Sequence, residues 1–183
     1  ISDNNGESFV RYSTVPVFER TEEASLFRVP HTVMLDNAKF KFWYGGGSSY
    51  IDGTNKTLPV YNIRYLESNS LINIPDKGIE VLDTIDEEHR VGRPNVLKDN
   101  ELFKMYFGFG SDKKPYQLGY AESRDGKNWS RDDLKLGLPL SSSGWDSEMM
   151  AYPCVVKVNN KTYMFYNGNE YGKYGFGYAE LVQ

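Results

Sequence analysis

Residues 92–110 read "GRPNVLKDNELFKMYFGFG", and the order of residue types in this stretch decides the fold. An x-Pro-x-x-(Val/Leu) opening leads to an Asp-Asn turn, then to an aromatic-rich run and a glycine-containing end. Asp and Asn tolerate the left-handed backbone of tight hairpins, so the stretch predicts two antiparallel strands joined at "DNEL". The same pattern is written twice more: "RVPHTVMLDNAKFKFWYGGG" at 28–47 and "AYPCVVKVNNKTYMFYNGN" at 151–169. Each copy runs on to a third strand-like segment, "YNIRYLES", "YQLGYAES" or "YGFGYAEL", ending Tyr-(Leu/Ala)-Glu.

A fourth strand is predicted after the second copy, where "SRDGKNWSRDDL" places a D-G turn before Trp129. The opening "SDNNGESFVRYS" has the same make-up, so it reads as the turn before a fourth strand whose first three strands are absent. Four-stranded repeats on this scale are the signature of a β-propeller. The expected class is therefore all-β, a β-propeller of four-stranded antiparallel blades with about three blades present. Residues 1–24 read as the end of a preceding blade or a closing strand, 25–84 and 85–140 as two blades, and 141–183 as the last blade. Three blades make an unusually small ring, so missing blades or a second chain are expected to complete the propeller.

Composition agrees. The 183 residues include 14 Tyr, 10 Phe and 17 Gly, a mix that favours strands and tight turns over helices. No stretch carries a convincing 3.6-residue apolar period. The net charge of −4, with acids and bases interspersed, argues against a nucleic-acid or anionic-membrane partner. Apolar runs are strand-length, which argues against a membrane span. Cys154 is alone, so no intramolecular disulfide forms, and "YPCVV" reads as a buried strand position. With two His and one Cys, no metal or other cofactor is expected. The single Cys and the lack of a visible signal peptide lean toward a cytoplasmic location, although the chain does not begin with Met.

The segments "GRPNVL", "FKMYFGF", "YQLGYAESRDGKNWSR" and "SGWDSEMMAYPCVVKVNNKTYMFYNGNEYGKYGFGYAEL" resemble the five-bladed propellers of the arabinanase, invertase and levansucrase superfamily of glycoside hydrolases. The closest resemblance is to a bacterial glycosidase-like branch. It covers nearly the whole chain, is strongest over 90–181, and implies the C-terminal part of a five-bladed propeller. It also implies a carbohydrate partner, an oligo- or polysaccharide, and carboxylate acid/base chemistry at a glycosidic bond. Carboxylates about 5–5.5 Å apart would retain anomeric configuration, and about 6.5–9.5 Å would invert it. The alternative is a non-catalytic glycan-binding or scaffold propeller, favoured because no carboxylate stands just before Pro30, Pro94 or Pro153.

Glu148 and Asp146 are the candidate catalytic acids, since they precede the innermost strand of the last blade. Trp145 beside them is placed to stack on a sugar ring. Arg93, with its planar fork, is a candidate for sugar hydroxyls, carboxylate or phosphate. Arg28, His31, Asn95 and Tyr152 hold comparable positions around the three prolines and complete the expected substrate-binding set. Glu67, Glu122 and Glu180 recur in every unit, as blade-building residues would.

Overall fold

The structure, a computed structural model, describes residues 1–182. Eleven strands form in chain order. The first group is β1 (Phe27–Asp36), β2 (Lys39–Asp52), β3 (Thr57–Ser68) and β4 (Ile79–Leu82). The second is β5 (Glu88–Asp99), β6 (Leu102–Ser111), β7 (Gln117–Ser123) and β8 (Ser130–Arg131). The third is β9 (Ala151–Val158), β10 (Lys161–Asn167) and β11 (Phe176–Glu180). Successive strands within each group pair antiparallel, and one parallel contact, Tyr61 to Arg90, joins the first two groups. Asn37, Asn100, Asn159 and Asn160 turn the inner hairpins with φ between 49° and 65°, as their residue type allows.

Alternation along the middle strands supplies two cores, because successive side chains leave opposite faces. Phe103, Met105 and Phe107 of β6 meet Trp43, Ile63 and Tyr65 of the first blade. Tyr106 of the same strand, with Leu97 and Leu118, packs on Val155, Met164 and Tyr166 of the third. The aromatics on both faces of β6 are thus the contacts between neighbouring blades.

The expected D-G turn forms before β8. Asp125 accepts the Lys127 and Asn128 N–H groups, both at 2.8 Å, and these bonds hold its carboxyl well below the usual range. Gly126 lies at φ 77°, and a Cβ there would come within 2.9 Å of Trp43. Its carbonyl accepts Nε1–H from Trp43 at 2.9 Å and Trp129 at 3.0 Å. This turn of the second blade is therefore fastened to the first.

Among the described residues, 1–24 add no strand to β11; their one bridge joins Thr21 to Ala24, and Phe18 packs on Phe42 and Tyr44 of the first blade. One expectation fails: Cys154 is exposed rather than buried. It lies on the face of β9 opposite Val155, which enters the core between the second and third blades. Among the described residues, no neighbouring element covers the Cys154 face.

Candidate functional site

Each x-Pro step breaks the register of its inner strand. The shifts fall at Pro30/Thr32, at Gly92/Asn95, and across from Ala151–Cys154 in the third blade. Such bulges re-aim side chains beside functional sites. At two of them the residue before proline is left-handed: Arg93 at φ 57° and Tyr152 at φ 61°. A residue before proline is ordinarily extended, and such non-glycine geometry costs about 1–3 kcal/mol unless its surroundings impose it. Here the two side chains pack together, the Arg93 guanidinium lying 4.2 Å from the Tyr152 ring centroid.

These bulges open into a cavity of about 470 Å³ shared by all three blades, a size suited to a small ligand. His31 and Tyr61 come from the first blade, His89, Arg90, Arg93 and Tyr116 from the second, and Tyr152 and Tyr171 from the third. Tyr171 belongs to a strained turn, with Glu170 at φ 51°, Tyr171 at φ 61° and Gly172 at φ 93°. Its ring stacks on Tyr152, centroids 6.1 Å apart. The hydroxyls of Tyr61 and Tyr116 hydrogen-bond each other, and burial pushes the Tyr61 phenol up to about 12. Gly92 makes room for this wall: a Cβ there would meet the Tyr61 ring at 2.9 Å.

The charges are one-sided. Arg90 lies 4.2 Å over the Tyr116 ring and Arg93 over Tyr152, yet among the described residues neither forms an ion pair. Among the same residues no carboxylate lines the cavity. The buried Nε of Arg90 and Nε2 of His89 have no hydrogen-bond partner. His89 Nδ1 is 2.8 Å from the Pro59 carbonyl, so with Nδ1–H donating there, Nε2 is an acceptor. Burial and then the Arg93 charge lower the His31 pKa to about 4. Burial lowers that of His89 as well. Among the described residues no group of three or more His, Cys, Asp or Glu is placed to hold a metal ion.

Of the residues singled out from sequence, Arg93, Tyr152 and His31 line this cavity together. The others lie elsewhere. Arg28 is buried, packed 4.1 Å over Phe18, 3.6 Å from Glu23 and donating to the Glu19 carbonyl at 3.0 Å. The pre-proline residue of that blade is Val29, and it is Val29 that reaches the cavity. Asn95 accepts the Val155 N–H at 2.9 Å, fastening the second blade to the third. Trp145 stacks on Tyr166, centroids 5.3 Å apart, which removes its ring from the pocket. Asp146 is buried and accepts the Tyr166 hydroxyl at 2.9 Å. Glu148 is exposed, and its backbone N–H donates to Asn169 Oδ1 at 2.9 Å. It precedes Met149, which packs with Tyr116 and Tyr152, but its side chain does not line the cavity.

Sequence reasoning missed Tyr61, Tyr116, Tyr171, His89 and Arg90 as site residues. One usable signal was the Arg90-x-x-Arg93 spacing ahead of the proline. The tyrosines converge from three blades and share no local motif.

The fold is shared with solved β-propeller glycoside hydrolases. Solved structures that share it include Zg3597, a family 117 glycoside hydrolase of the marine bacterium Zobellia galactanivorans (TM-score 0.67, 15% identity, 84% of this chain and 51% of that one). Another is BT0996, solved in a complex with RGII (TM-score 0.65, 18% identity, 89% and 48%). A third is the Bombyx mori GH32 β-fructofuranosidase BmSUC1 (TM-score 0.56, 18% identity, 81% and 32%). Among curated sequences, the uncharacterised protein Rv1502 of Mycobacterium tuberculosis is 31% identical over 177 residues. The match takes in 96% of this chain and 58% of Rv1502, so the chain spans little more than half the length of that relative. No family model matches.

Proposed function

We propose that this chain forms the sugar-binding part of a carbohydrate-active propeller that acts on a glycosidic bond. The observation that carries the reading is the tyrosine-walled, guanidinium-bearing cavity where three blades of a glycoside-hydrolase fold meet. Sugar rings present an apolar C–H face to aromatic walls and hydroxyls to polar groups. Tyr152 and Tyr171 are the proposed stacking platform, His89 Nε2 an acceptor and Arg93 a donor.

Hydrolysis or transfer needs a general acid and a base. From this chain we propose Glu148 as one of them, because it is exposed beside the packing of Tyr116 and Tyr152. The second carboxylate would come from further blades of a longer polypeptide, in keeping with the greater length of Rv1502. Asp146, already engaged by Tyr166, is proposed as a support for this segment rather than an acid.

The second reading, glycan binding without catalysis, is favoured by the absence of any carboxylate from the cavity lining among the described residues. Turnover of glycan libraries by the intact protein separates the two. If Glu148 is catalytic, Glu148→Gln lowers kcat about 10²–10⁴-fold while sugar affinity stays within about twofold. Unchanged turnover removes Glu148 from the mechanism. Sugar binding without turnover by the unaltered protein establishes the second reading.

A further inference from the structure

We propose, building on the sugar-binding reading, that the ligand of this cavity is an acidic glycan whose carboxylate, sulfate or phosphate is held by Arg90 and Arg93.

In a protein of net charge −4, this cavity gathers Arg90, Arg93 and Lys56 with no acidic side chain in its lining. None of the three has an ion-pair partner among the described residues. Asp112, whose charge is felt at His89 and Lys56, is itself occupied by the Thr54 N–H at 2.6 Å and hydroxyl at 2.5 Å. The buried and half-buried arginines outside the cavity, Arg28, Arg64 and Arg131, are compensated. Arg131 is gripped by Glu88 at 2.9 and 2.7 Å, and Arg64 sits 3.4 Å from Glu23. Leaving two guanidiniums uncompensated in a concavity is unfavourable unless an anion arrives.

The two guanidiniums are also positioned in advance. Each lies 4.2 Å over a tyrosine ring, and Arg90 is backed by Gly110, where a Cβ would come within 2.9 Å of its Nε. Stacking on a ring face leaves the N–H edge of the fork available, the geometry that suits bidentate oxyanion contacts. Arg90 donates one terminal N–H to the Ser111 carbonyl at 3.4 Å, and its buried Nε has no partner. With His31 and His89 neutral at neutral pH, the arginines and Lys56 set the charge, and the imidazoles remain available to sugar hydroxyls.

Calorimetric titration of the intact protein with matched pairs tests this: oligogalacturonate against galacto-oligosaccharide, glucuronate against glucose, and galactose 6-sulfate against galactose. Glucose 6-phosphate and inorganic phosphate complete the series. The acidic member of at least one pair should bind about tenfold or more tightly than its neutral counterpart, the scale of charge-assisted hydrogen bonds, and weaken with salt. Arg93→Gln should erase most of that preference, weakening the acidic member of a pair several-fold more than its neutral counterpart. Arg93 is exposed, so its replacement should leave the fold intact, and Arg93→Lys, which keeps charge without the fork, should restore only part. Equal or tighter binding of the neutral members, or an acid preference indifferent to Arg93→Gln and Arg90→Gln, overturns the acidic-glycan inference and leaves sugar binding standing. Phosphate binding with no sugar bound, or no binding at all, overturns both.

Discussion

Asp146 is 6% exposed, and its partner, the Tyr166 hydroxyl, is buried with it. Burial, and then the hydrogen bond to Asp146, pushes the Tyr166 phenol up to about 12. Asp146→Ala should therefore cost about 1–3 kcal/mol, the usual penalty for orphaning a buried polar group, while sugar affinity stays unchanged. Denaturant unfolding measures the first quantity and calorimetry the second; lost binding at unchanged stability would return Asp146 to the site. His31 gives a pH signature. Its folded pKa is depressed to about 4 from 6.5, so the unfolded chain takes up a proton in this interval and the folded chain does not. Stability should fall as pH drops from about 6.5 toward 4, with His89 adding in the same direction. The carboxylates with depressed pKa values, such as Asp36 and Glu67, lose their contribution only below their unfolded values near 4. Unfolding midpoints between about pH 6.5 and 4.5 therefore isolate the imidazoles, and His31→Asn should flatten the slope. An unaltered slope would mean that His31 is solvated and protonates freely.

At the scale of strands, the inner edges of neighbouring blades are joined by side chains that replace a ladder. Thr32 of β1 donates to the Pro94 carbonyl at 2.8 Å and accepts the Val96 N–H at 3.0 Å. Asn95 of β5 does the accepting half of the same task for Val155 of β9. Both acceptors serve the residue two beyond the next blade's proline. Thr32→Val and Asn95→Ala should each cost about 1–3 kcal/mol by leaving a backbone N–H unpaired. Joining different blade pairs, they should combine nearly additively, as denaturant unfolding of the double variant would show; a large coupling would mean that the blades repack as one unit. Asn95 also marks the limit of what the sequence reveals. The x-Pro-x-x-(Val/Leu) spacing, the Asn turns and the period of two are local, and they make the strands legible. Which neighbour a side chain meets depends on the angle between blades. Arg28 misses the cavity by one residue: the position shared with Arg93 and Tyr152 is Val29, immediately before proline, whereas Arg28 corresponds to the buried Gly92 and Ala151. Trp145 and Asp146 turn away from it for a related reason, because a loop's approach to a blade leaves no periodic trace.

Across the whole molecule, the second blade shows one face to the first and one to the third, and among the described residues the third blade's outer face is open. Leu97 and Tyr106 on the second blade pack against the third. The repeat puts Val156 and Phe165 at their equivalent positions on the third blade, beside Phe176 and Tyr178, which are 69% and 63% exposed. Phe165 lies 6.2 Å from Phe176 and 5.9 Å from Tyr178, centroid to centroid, so the patch is contiguous and larger than scattered surface hydrophobics. The exposure of Cys154, at the repeat position of Asn95, belongs to the same face. If further blades complete the propeller, as proposed above, this face would receive one of them. Two lengths of the protein test this. In the 183-residue chain, Phe165→Ser should change stability little, within about 1 kcal/mol, because half its surroundings are solvent. In a polypeptide long enough to carry the additional blades, the same substitution should cost about 3–5 kcal/mol, as removal of a fully packed aromatic does. Equal costs in the two lengths would mean that the face stays open and that the propeller closes without it.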